Sequence, residues 1–395
     1  MQKNILLALT AVAVTLPVGF IAAYLTSAAP HATAQTAQAA SPIVNLPAAA
    51  GASSVVDAAN AFLATLSDKQ QAAAQIDLTP QNAARWSNFP AAVVPRNGVY
   101  FRDLNAAQTT AALKVARLAL SPDGFKRFQE VRATDDAFAK SDEARHGPGG
   151  GGPTGDRRRG PGGPPPGGFG GPPPGGPGGF GGPGGGQNLF GHGNYIIAFL
   201  GKPSNTTPWL LQLGGHHVAF NIYYRGTAGA ATPYFVGAQP NVWKDSAGKT
   251  HAPLAPMHDA MYDLTHSLTP QQLTQARLDA SFSDVYVGPG RDGQFPAHQG
   301  VLVSELSATS KKLVKQAIAS WTGDTAQAAE YRKRYDAELD QTRVSYSGTT
   351  ALKDEGDYVR IDGPHVWIEF ACQGSDHYHT IWRDRTTDYG AEFSF

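Results

Sequence analysis

From Gly147 to Gly186 the chain is almost wholly glycine and proline, and Gly-Gly-Phe-Gly-Gly-Pro occurs there at 167–172 and again at 178–183. Such a stretch cannot bury enough apolar surface to offset the entropy of ordering it. Any core must therefore come from residues before 147 and after 186. The run either links two domains or interrupts one. A flexible chain of this length spans roughly 35 Å root-mean-square, so reach does not choose between the two. Its Arg157-Arg158-Arg159 triplet reads as a solubilising feature.

The N-terminus constrains location. Lys3 precedes an apolar stretch from 5 to 24, then small residues and Ala32-Thr33-Ala34, a small-x-small cleavage pattern. A positive end that stays inside and an apolar segment that enters the membrane read as an export signal over 1–34. The stretch also approaches the ~20 residues that span a bilayer, so an uncleaved anchor is the second reading. No later segment is apolar enough to span. The expected location is periplasmic or secreted, with membrane contact only through the N-terminal segment. Residues 35–52 read as flexible. Lysine plus arginine and aspartate plus glutamate both total 32, which leaves no electrostatic case for nucleic-acid binding. The single cysteine, Cys372, excludes an internal disulfide and is expected to be buried.

Periodicity gives the elements. Val55, Val56, Ala59, Phe62, Leu63 and Leu66 recur at helical spacing and predict a helix over 53–76. A second helix is predicted over 106–119. Ser121-Pro122 is an N-cap followed by proline at the first helical position, opening a third to about 139. Trp86 and Phe89 anchor the proline-punctuated loop between the first two. After the Gly/Pro run, 195–200, 209–213 and 217–224 read as strands. Helices return at 257–267, 270–279, 304–320 and 324–341. The C-terminus reads as a meander of strands at 358–361, 365–373 and 377–383, with turns at Asp362-Gly363-Pro364 and Gly374-Ser375-Asp376. The predicted class is α+β, with helices packed on a mostly antiparallel sheet, forming a single domain over 53–395 interrupted by a disordered Gly/Pro insertion at 147–186.

No phosphate loop, zincin helix, serine-hydrolase elbow or haem-attachment motif is present, and the glycine-rich run lacks the strand–turn–helix context of a dinucleotide site. The histidines carry more information. His377 and His379 stand two apart on a predicted strand, so both imidazoles share one face. His216 and His217 sit at the predicted head of another strand. A regular strand there sends them to opposite faces, so at most one of the pair ligates; a bend at Gly214-Gly215 lets both. Two histidines and one more ligand suit Zn, Cu or Fe. Glu369, His192, His251 and His298 are the candidate third ligands. The length of the turn after Gln373 decides whether Glu369, or Cys372 and Phe370, shares the face of His377 and His379. Arg383 shares that face by parity. It reads either as part of a salt-bridged turn with Asp384 and Asp388 or as a group that orients an anionic part of a substrate. Trp86, Trp209, Trp367 and Trp382 read mostly as core.

Several spaced motifs resemble one exported bacterial family. They are Gly201-Lys202-Pro203-Ser204 with Pro208-Trp209, Gly215-His216-His217, Thr232-Pro233 with Gly237-Ala238, His377-Tyr378-His379, Arg383-Asp384 and Asp388-Tyr389-Gly390. The family is catalogued as domain of unknown function number 3500. The likeness runs from about Trp86-Ser87-Asn88-Phe89-Pro90 to the C-terminus. It implies that both sides of the Gly/Pro run form one unit, with the run an insertion. It also implies acidic residues at 239 and 299, where this chain has Gln239 and Gln299.

The function expected from these readings is an exported protein with a His-based metal centre, built from His217, His377 and His379 and completed by His216 or Glu369. As an enzyme it is a metal-dependent hydrolase with Arg383 orienting substrate. The rival expectation is a non-catalytic envelope binding module whose histidines are structural.

Overall fold

The computed structural model describes residues 46–49, 51–91, 93–141, 144 and 189–395. The expected export signal over 1–34, most of the 35–52 segment and the 147–186 run lie outside the described residues. No helix among the described residues is long and apolar enough to cross a membrane.

Strand alternation organises the molecule. In β5 (Val218–Arg225), Val218, Phe220, Ile222 and Tyr224 enter one core, while Ala219 and Tyr223 enter a second on the opposite face. β5 belongs to a twelve-stranded sheet. Its antiparallel spine runs β3 (Ile196–Leu200), β4 (Trp209–Gly215), β5, β7 (Tyr234–Ala238), β14 (Tyr378–Asp384), β13 (Val366–Cys372), β12 (Tyr358–Asp362), β11 (Arg343–Ser347) and β10 (Val301–Leu302). β1 (Gln75–Ile76) joins β3 in parallel; β2 (Val99–Tyr100) also pairs with β3, and β6 (Ala228–Ala230) with β5. β8 (Trp243–Lys244) and β9 (Thr250–His251) form a separate ribbon.

Helices cover the first face, except the short Pro80–Ala83 helix, whose Ala83 is buried in the second core. The helices are α1 (Ala52–Leu63), α2 (Asp68–Ala74), α3 (Pro80–Ala83), α4 (Ala106–Ala119), α5 (Pro122–Phe138), α6 (Ala255–His266), α7 (Pro270–Ala276), α8 (Ala308–Thr322) and α9 (Ala328–Ala337). Phe62, Val115 and Phe128, from before the Gly/Pro run, share one core with Phe220, Met257, Trp321 and Trp382 from after it. The class is α+β, helices on a mostly antiparallel sheet.

Two boundaries differ from expectation for a local reason. The predicted 53–76 helix is two helices and a strand. Ser67 accepts from the Gln70 N–H while the Gln70 side chain accepts from Ser67 N–H, a capping box that starts α2 afresh. The tail, Gln75-Ile76, is drawn out to pair with β3. Likewise α8 begins at Ala308 because Ser307 caps it, and Val303–Glu305 is a separate 3-10 turn. α4 and α5 fall where predicted, the latter with Ser121 as N-cap and Pro122 at its first position.

The opposite face is covered differently. Residues 278–300 form neither helix nor strand, yet many anchors tie them to the sheet. Ser347 bonds to Ala280 O, Glu369 to the amides of Tyr286 and Val287, Arg383 to Val287 O, Gly288 O and Asp292, and Asp362 to His298. A loop this long without secondary structure of its own usually serves function. This one crosses the end of β14 where the histidines lie.

Candidate metal centre

Gly215 pairs with Val218, so His216 and His217 are the two residues that turn β4 into β5 rather than the head of a strand. His217 takes φ 63°, a left-handed conformation that glycine adopts freely and that costs other residues roughly 1–2 kcal/mol. Such strain is retained where the surroundings over-determine it. The turn lies at the edge of the second face, beside His377 and His379 of the β13–β14 turn and β14.

Register brings the two halves together. β5 pairs with β7 and β7 with β14, setting Gly237 opposite His379. The Gly237 N–H donates to His217 O at 2.9 Å. A Cβ on Gly237 would lie 2.8 Å from His217 Cδ2 and 2.9 Å from His379 Cδ2, below any ordinary contact. The missing side chain is the space the two rings occupy.

His377 Nε2 lies 2.9 Å from His217 Nε2 and 2.9 Å from His379 Nε2. Ligand atoms of all three rings fall within 4.8 Å of one another. His379 Nδ1 lies 2.8 Å from Asp284 Oδ1. A carboxylate only accepts, so Nδ1 carries the proton and Nε2 presents its lone pair to the cluster. Asn88 Nδ2 donates to the other oxygen of Asp284 at 3.3 Å. Burial first, and the neighbouring histidines second, hold His217 well below its ordinary value and push His377 down to about 2. Both rings are therefore neutral.

This geometry leaves a shortage of protons. If His377 Nε2 bears a hydrogen, that one hydrogen must serve contacts to both His217 and His379. If it bears none, its lone pair faces that of His379 at 2.9 Å. A cation accepts all three lone pairs at once. Nitrogens 2.0–2.1 Å from a tetrahedral ion stand about 3.3 Å apart, so along these two edges only a few tenths of an ångström separate the present spacing from a ligated one.

The cluster lines a cleft of about 400 Å³ together with Phe89, Phe138, Phe190, Gln239, Gln373 and Asp376. The structure places the other sequence candidates elsewhere. His216 Nδ1 bonds to Asp135 Oδ1 at 2.6 Å and its ring stacks on His217, centroids 3.7 Å apart, so it supports the cluster from the α5 side without joining it. Glu369 does share the face of His377 and His379, since it pairs with Ile381 while Ala371 pairs with His379. It is not a ligand, because its fully buried carboxylate already takes Tyr286 N–H, Val287 N–H, Trp367 Nε1 and Tyr358 Oη. Arg383 is fully buried and bonded to Val287 O, Asp292 and Asp388 at 2.8–3.0 Å, so it does not reach a substrate. His192, His251 and His298 are engaged with Asp136, Asp245 and Asp362. Cys372, buried, pairs with Tyr378 and belongs to the helix-side core, which removes a Cys/His cluster.

Sequence reasoning missed Asp284, Asn88, Asp135 and Gly237 as parts of the site. Asp284 stands in a stretch without periodicity and had no signal. Asn88 and Gly237 stood inside motifs quoted for the family resemblance, which was their one trace.

Fold and site define an α+β protein with a buried histidine triad compatible with a metal ion. The chain matches the family described as Protein of unknown function (DUF3500) over residues 48–391, nearly its whole length, and it belongs to that family. No curated protein and no solved structure matches it.

Proposed function

We propose that this is an exported metalloprotein in which His217, His377 and His379 hold one Zn, Cu or Fe ion, and that it acts as a hydrolase. One observation carries the reading: three imidazoles bring their Nε2 atoms together, 2.9 Å apart along two edges, with too few protons to satisfy them. Asp284 supports it further, since ligating histidines commonly donate their second N–H to a carboxylate. Three protein ligands leave a coordination position open, as in catalytic rather than structural zinc sites, and here it would face the cleft. A metal bound there would lower the pKa of a water molecule toward neutrality. The chain's own contribution is to orient His379 through Asp284, to keep His217 and His377 neutral by burial, and to wall the site with aromatic side chains.

Export supports the choice of an untagged preparation from the envelope. Elemental analysis of that protein should give close to one transition metal per chain. His379→Ala should abolish it, and His31→Ala, in the targeting segment, should not. Wild type without near-stoichiometric metal would leave the histidines structural and favour a non-catalytic binding module. N-terminal sequencing of the same sample should begin near Gln35; recovery of the chain from cytosol would overturn export.

A further inference from the structure

Beside the histidine cleft lies a second, larger one of about 710 Å³. The two share Asn88, Phe89, Asp284 and Gln373 as lining residues. They thus adjoin as two lobes, and between them Asn88 donates to Asp284.

Both walls of the second lobe are irregular backbone held in place by buried charge. On one side Arg96, 8% exposed, donates to the carbonyls of Ser87, Phe89 and Val94. On the other, Glu369 accepts the amides of Tyr286 and Val287 while Arg383 donates to the carbonyls of Val287 and Gly288. Burying a charge is expensive unless it is well bonded. Three buried charged side chains here bond chiefly to the backbone of the two walls. A cleft kept open in this way is preformed, as ligand sites usually are.

The lining states what fits. Trp86, Val93, Val94, Val285, Tyr286 and Pro289 give an apolar and aromatic surface. Its charged members are Asp284, engaged with His379 and Asn88, and Arg291, whose guanidinium lies 4.6 Å from the centroid of the Tyr286 ring. One acid and one base leave the lobe without net charge, and its largely apolar lining fits an uncharged group.

We propose that the ligand is bipartite. A carbonyl-bearing reacting group sits at the histidine triad, and a bulky, uncharged apolar or aromatic arm passes over Asn88–Asp284 into the second lobe. The substrate class is then an ester or amide carrying an aryl-alkyl or long acyl substituent. This rests on the metal reading of the triad.

Hydroxamic acids separate the two ideas, because the hydroxamate chelates the metal and the tail probes the lobe. The full chain is loaded with Zn and titrated with acetohydroxamic acid and with phenylalkyl hydroxamates of increasing length. Affinity should rise about tenfold for every two methylenes buried. Val94→Trp, which fills the lobe from a half-buried position, should remove that gain and leave acetohydroxamate binding unchanged; Val93→Trp is the second variant if the first misfolds. Acetohydroxamate binding without a gain from the tail would overturn the lobe assignment and leave the metal reading intact. A gain that survives both Trp variants would place the arm elsewhere and overturn it too. Failure to take up any of Zn, Cu or Fe would overturn the metal reading, and the proposal with it.

Discussion

Asp284 Oδ1 lies 2.8 Å from His379 Nδ1, joining residues 95 apart in sequence, one on an irregular loop and one on a central strand. This contact fixes which nitrogen of His379 faces the cluster. Asp284→Asn presents an amide that can still accept but no longer carries charge. Metal affinity should weaken by about 10–100-fold with the fold intact. Chelator competition measures it, and an unchanged affinity would show that the carboxylate plays no part in the site.

Gly237→Ala tests the packing under the rings. The added methyl would come 2.8–2.9 Å from His217 Cδ2, His379 Cδ2 and Tyr378 O. Two of these atoms belong to the triad, so the rings must shift. Overpacking of this kind costs about 1–3 kcal/mol, and metal stoichiometry should fall with it. Ala at Gly248, where nothing lies within 4 Å but φ is 80°, tests backbone strain alone and should leave metal untouched. Equal metal content in both variants would contradict the account.

Glu369→Gln separates clamp from ligand. The carboxylate accepts four donors, two of them amides of the 278–300 loop. Burial raises its pKa while those donors oppose the rise. An amide offers one acceptor oxygen and turns its NH₂ toward groups that are themselves donors. Stability should drop by about 2–4 kcal/mol in urea unfolding, yet the variant should still hold one metal per chain. Complete loss of metal at unchanged stability would restore Glu369 as a ligand.

The metal-free protein should weaken in acid. Burial holds His217 well below the ordinary 6.5 of an imidazole, and His377 at about 2. Unfolding restores the ordinary value, so between about 2 and 6.5 the unfolded chain binds more protons. The contribution of these neutral rings is whole above about 6.5 and is lost as pH falls through that window, by at most ~1.4 kcal/mol per pH unit for each ring. His377→Gln should flatten this slope. Urea midpoints near neutrality and about two units lower measure it; an unaltered slope would mean that His377 does not titrate between the folded and unfolded states.

Signals local to a few residues were legible. Ser121-Pro122 marked the start of α5, and the period of two placed His377, His379 and Arg383 on one face. Parity did not apply to His216 and His217, which form the β4–β5 turn, and only His217 enters the triad. Parity failed to say what a side chain on the right face would do. Glu369 and Arg383 share the face of the histidines and serve as clamps, because the loop that lies over them was invisible to periodicity. The predicted 53–76 helix failed where Ser67 and Gln70 form a capping box, a signal present in sequence but outweighed by the apolar repeat.

What the sequence determined by itself was the class of fold, the elements set by periodicity and capping, the family, and the pairing of two histidines on a single strand. What the tertiary structure decided was the site. His217 and His377 are 160 residues apart and meet at 2.9 Å because β7 lies between β5 and β14, with Gly237 empty where the rings pass. Neither that strand order nor the approach of Asp284 follows from any local pattern. Pairing across such separations is fixed by the closure of the whole sheet and by which buried groups find partners on it, and those are properties of the packed chain alone.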